Sequence, residues 1–94
     1  MIRIVKMTFQ EDAIADFIRI FEASKPKILN FQGCSSVMLI QDKSNPSLMM
    51  TYSIWDSEDA LNAYRESNFF KETWTKTKLL FNSKPEAWSL DQIG

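Results

Sequence analysis

Histidine is absent from the 94 residues, and cysteine occurs once, at Cys34. Without imidazole the usual zinc, non-haem iron and histidine-ligated haem sets are disfavoured. The side chain that most often serves as a general base near neutral pH is missing as well. A single thiol forms no internal disulfide. No apolar run approaches the ~20 residues that cross a bilayer, and Arg3 and Lys6 interrupt the stretch where a signal peptide would be continuously apolar. The expectation is a cytoplasmic protein with no membrane partner. Positive charge is not in excess either: 11 Lys and Arg against 12 Asp and Glu leave a net charge of −1, so no basic footprint for nucleic acid is expected.

What is present is ordinary for a folded chain, with 45% hydrophobic and 24% charged residues, far from the regime that keeps chains disordered. The length suits one domain over residues 1–94. A domain of this size buries only about 60–65% of its unfolded surface, so pairing with a second copy would add usefully to stability.

From Ile2 to Phe9 the residues alternate, with Val5, Met7 and Phe9 on one face and Ile2, Ile4 and Lys6 on the other. Apolar residues on both faces predict a strand covered on both sides. From about Glu11 the period changes: Ile14, Phe17, Ile18 and Phe21 form one helical stripe, which Pro26 is expected to stop or kink before it resumes around Lys27. Cys34–Asp42 and Leu48–Asp56 read as a hairpin around the turn-rich Lys43–Ser47. In its second strand, Leu48, Met50, Tyr52 and Ile54 point one way and Met49, Thr51, Ser53 and Trp55 the other. Asp56 or Ser57 can cap a helix running through Tyr64. A break at Ser67–Phe70 follows, then a second helical piece ending near Asn82 with Phe70, Trp74, Thr77 and Phe81 on one face. Ala87–Leu90 reads as a short last strand. The order β-α-β-β-α-β is the split unit in which helices cover one face of a four-stranded antiparallel sheet. Its second face, also apolar, calls for a twin.

The run from Tyr52 to Lys71 resembles the signature of the antibiotic biosynthesis monooxygenase family. A strand ends in the aromatic–acidic pair Trp55-Asp56, a helix opens on Ser57-Glu58-Asp59-Ala60-Leu61, and a junction follows at Ser67-Asn68-Phe69-Phe70-Lys71. Phe31-Gln32-Gly33-Cys34 is similar to the family's entry into its second strand. The resemblance implies an α+β, ferredoxin-like chain that forms a dimeric α+β barrel, a homodimer in which the last strand contributes to the partner's side. It also implies activities ranging from cofactor-independent oxygenation of quinol-like aromatics to haem degradation. Several positions depart from the pattern. Tyr64 and Phe69 stand where many members carry histidine. Trp74 stands where the haem-degrading branch has its axial histidine, and that branch's strand-1 asparagine has no counterpart between Ile2 and Phe9.

The resemblance thus implies a cofactor-independent monooxygenase acting on a small aromatic substrate. Such an enzyme holds a planar, electron-rich molecule, helps remove its proton and excludes water. Tyr52, Trp55, Tyr64, Phe69 and Trp74 are expected to line the pocket, along with Phe70, and Tyr64 or Arg65 to orient a phenolate. No metal or other cofactor is expected. The missing histidines favour an alternative, a non-catalytic dimeric module binding a small hydrophobic ligand; haem degradation is a weaker one. Aromatics at helical spacing are commonly plain core, the simpler reading for Phe70 and Trp74.

Overall fold

A computed structural model describes residues 1–94. Strand β1 (Ile2–Thr8) leads through a short 3-10 turn (Glu11–Ala13) into helix α1 (Ile14–Leu29). The hairpin β2 (Cys34–Gln41) and β3 (Leu48–Trp55) is followed by α2 (Glu58–Arg65), α3 (Asn68–Lys78) and β4 (Glu86–Leu90). The sheet order is β2-β3-β1-β4, with every neighbour antiparallel. This is the ferredoxin-like arrangement expected from the alternation, with β1 in the interior of the sheet and the second helix divided in two.

Local chemistry accounts for that division. Ser57 accepts a hydrogen bond from the Ala60 amide and Ser67 one from the Phe70 amide, so each hydroxyl opens its own helix. Caps of this kind contribute about 1 kcal/mol each. Pro26, by contrast, does not stop α1: the helix continues through it to Leu29. Proline removes the hydrogen bond to the carbonyl four residues back, and both Pro26 and Glu22 lie on the exposed side, where a freed oxygen does not need a protein partner. Helix α3 ends at Lys78 rather than near Asn82, because the following backbone pairs with the end of β1. The Gln10 amide donates to the Leu80 carbonyl and the Asn82 amide to the Thr8 carbonyl, forming a bridge between Phe9 and Phe81.

The core lies between the helices and one face of the sheet. Met7, Phe9, Met49 and Trp55 project from the strands against Phe17, Phe21 and Leu61. Phe9 is fully buried and stacks on Phe17 with ring centroids 4.3 Å apart. Gly33, at the entry to β2, has φ +87°, and a Cβ there would meet the Ala60 Cβ at 2.6 Å, so only glycine allows this approach to α2.

On the opposite face no helix packs. The pairing registers align Ser36, Ile54, Ile2 and Leu90 in one row across the sheet, and Met38, Tyr52, Ile4 and Trp88 in the next. Of these, Met38, Ile54, Trp88 and Leu90 are exposed large apolar residues. Every residue of β4 is exposed.

Candidate functional site

Between the helices and the sheet lies a cavity of about 260 Å³. Part of its wall is aromatic, and those rings are ordered by the two helix starts. Tyr64, on α2, stacks on Trp55 at 5.1 Å and meets Phe70 edge-on at 5.1 Å. Phe70 in turn stacks on Trp74 at 5.9 Å, and Trp74 meets Phe81 at 5.6 Å. The break at Ser67 makes this possible, since it redirects the chain so that Tyr64 and Phe70 close on one another from two helices.

Few polar groups face this wall with free valences. The Trp55 indole donates to Ser53 Oγ at 2.9 Å, so its N–H is already satisfied. Ser24 and Thr77 donate back to the Ile20 and Thr73 carbonyls of their own helices. Tyr64 carries the one phenol among the lining residues. Burial, with a smaller contribution from Cys34, pushes its phenol up to about 12. It is therefore a protonated donor throughout the neutral range and no general base. Burial also pushes the Cys34 thiol up, partly offset by its bond to the Ser36 carbonyl, and the thiol is not activated as a nucleophile.

Two arginines complete the lining, Arg3 from β1 and Arg65 from the last turn of α2. Burial first, and then the neighbouring Arg65 cation, pull the Arg3 guanidinium down from its ordinary value, against the opposing influence of Glu58. Arg3 donates to Ser89 Oγ at 3.0 Å. Glu86 also borders the cavity, but its carboxylate pairs with Lys6 at 3.7 Å on the bare side of the sheet, where Lys6 and Glu86 are register partners.

Of the residues the sequence singled out, Trp55, Tyr64, Phe70, Trp74 and Arg65 are brought together around the cavity. Tyr52 is not. It projects from β3 to the opposite face, paired with Ile4 and Met38, because a period of two separates it from Trp55 three residues on. Phe69 is also outside the lining: it packs on Phe31 and carries the Lys27 ammonium 5.5 Å above its ring. Arg3 escaped the sequence reading, although alternation with Val5 and Met7 was the signal that could have found it.

The chain is thus a ferredoxin-like α+β domain with an apolar chamber, partly aromatic, beneath its helices. Residues 1–76 match the family model described as antibiotic biosynthesis monooxygenase, and the chain belongs to that family. No curated protein sequence matches it. Among solved structures it is similar to a conserved protein from Methanosarcina mazei Go1, at 22% identity over 92% of this chain and 86% of that one, with a TM-score of 0.86. Rv0793 from Mycobacterium tuberculosis superposes with a TM-score of 0.90 at 16% identity, covering 99% and 94% of the two chains. A structure described as antibiotic biosynthesis monooxygenase gives 0.90 at 14% identity over the whole of both. At these identities the likeness is one of fold. No helix is long and apolar enough to cross a membrane.

Proposed function

We propose that the chain is a homodimeric, cofactor-independent monooxygenase whose cavity takes a small quinol-like aromatic. The observation that carries this reading is the chamber of about 260 Å³ walled by Trp55, Tyr64, Phe70 and Trp74. An apolar cavity of about 150 Å³ holds benzene, so this one suits a molecule of one or two rings. In such a reaction the substrate supplies all the electrons: a ring C–H becomes C–OH while the quinol is oxidised to the quinone, one atom of O2 enters the product and the other leaves as water. The protein's part is to hold the ring against Trp55 and Tyr64, keep water out, and stabilise the substrate anion that reduces oxygen. The Tyr64 hydroxyl donates to that anion, and the arginines supply positive potential. Two copies joined through the bare sheet faces would cover Met38, Ile54, Trp88 and Leu90.

Oxygen uptake by the purified protein with a panel of benzo- and naphthohydroquinones tests the reaction. Turnover that falls at least tenfold in Tyr64→Phe supports it, and no uptake above a denatured control for the whole panel removes it. A second reading, a non-catalytic dimeric binding module, is favoured by one observation: the titratable tip in the cavity, Tyr64, is a poor base. Retrieval of a bound aromatic by native mass spectrometry, with no oxygen consumed, would select it.

A further inference from the structure

We propose that Arg3 and Arg65 act together as an anion clamp that makes the cavity selective for aromatic carboxylates. This deepens the reading of the cavity as an aromatic-ligand site and rests on it. Two arginines from different elements line one small, mostly apolar chamber, and the Arg65 charge acts on Arg3. Like charges held together beside apolar surface repel one another, and an anion between them reverses the sign of that interaction. The chain forms no ion pair with either arginine. Its two ion pairs are Lys6–Glu86 and Arg19–Asp16, and neither includes a cavity arginine. Glu86, which also borders the cavity, is turned to the other face by its pairing with Lys6. Glu58 acts on Arg3 from the opposite end of α2 to Arg65 and offsets only part of the field.

The donor geometry fits a carboxylate. A guanidinium carries five N–H donors in a planar fork that matches two carboxylate oxygens. Arg3 spends one on Ser89 Oγ, which anchors the group while leaving the rest of its fork free. The occupant would lay its ring on the Trp55–Tyr64 stack and direct its carboxylate to the arginines. Arg65, exposed at the end of its helix, stands on the solvent side of the pair, so the charged end of the ligand faces the entrance.

Isothermal titration of the full-length protein with 2-naphthoate and with its neutral isostere 2-naphthamide decides the matter. We expect 2-naphthoate to bind at least about tenfold tighter, the size of a charge-assisted hydrogen bond. That preference should shrink as ionic strength is raised from about 0.05 M to about 1 M. Arg65→Gln, on an exposed helix end, should lose most of the preference while keeping its affinity for 2-naphthamide, and Arg3→Gln should behave likewise. Equal binding of the two probes by the wild type, or an undiminished preference in Arg65→Gln, would overturn the clamp and leave the aromatic-cavity reading standing. Binding of neither probe would overturn both.

Discussion

Trp55 and Ile54 are adjacent in β3, yet Trp55 is 1% exposed beneath the helices while Ile54, on the other side of the sheet, is 36% exposed. The same alternation runs through β1, where Met7 is buried and Ile4 lies on the bare face. Sequence pattern therefore makes both faces apolar, whereas the chain's own helices complete only one of them. On the covered side, rings interlock and every buried polar side-chain atom has a partner. On the bare side, apolar rows end in water. The chain is closed by its own helices on one face and leaves apolar rows open on the other.

The sharpest way to break this comparison is to cut one large side chain from each face. Phe9→Ala removes a fully buried ring stacked on Phe17 and should cost about 3–5 kcal/mol in urea unfolding. Met38→Ala, at a position 43% exposed, should cost the subunit under about 1 kcal/mol. Comparable losses at the two sites would show that the faces are not distinct.

Next in size is a charge on the bare face. Ile54→Lys places an ammonium in the row with Ile2 and Leu90, and twofold symmetry places it twice. Its effect on a dimer built through this face should be a dissociation constant raised about 100-fold, close to 3 kcal/mol, measured by sedimentation equilibrium. A wild-type chain that remains monomeric at micromolar concentration would remove the proposed interface.

Gly33→Ala probes the covered side where backbone and helix touch. With a Cβ 2.6 Å from that of Ala60 and φ at +87°, it should lower the unfolding free energy by about 1–3 kcal/mol. An unchanged denaturation midpoint would show that α2 can retreat freely.

The smallest effect concerns pH. Because burial raises the Tyr64 phenol from 10.0 to about 12, the folded chain holds its proton more tightly than the unfolded one. The associated stability is complete below pH 10, is lost as pH rises towards 12, and is flat beyond. Urea titrations at several pH values should therefore show a steeper alkaline decline in the wild type than in Tyr64→Phe. Parallel curves would mean that the hydroxyl is well solvated.

Alternation made the strands legible, including the interior position of β1, and the break at Ser67–Phe70 marked the divided second helix. Pro26 misled because proline's cost depends on whether the freed carbonyl meets protein or water, and sequence does not say which. Tyr52 was grouped with Trp55 for its chemistry although their spacing already put them on opposite faces. Arg3 was overlooked because a charged residue on an apolar strand reads as surface until a cavity is known to lie beside it. The cavity itself depends on how α2 and α3 turn about Ser67, a tertiary property that no local pattern encodes.

Strand β4 is five residues long, exposed throughout, and joined to the sheet through β1 alone. Its Ala87 borders the chamber, while Trp88 and Leu90 stand on the bare face. In the proposed dimer, a guest pressing this thin wall outward would also shift the side chains offered to the second copy. Occupancy and assembly would then be mechanically linked through one strand, each transmitting a change to the other.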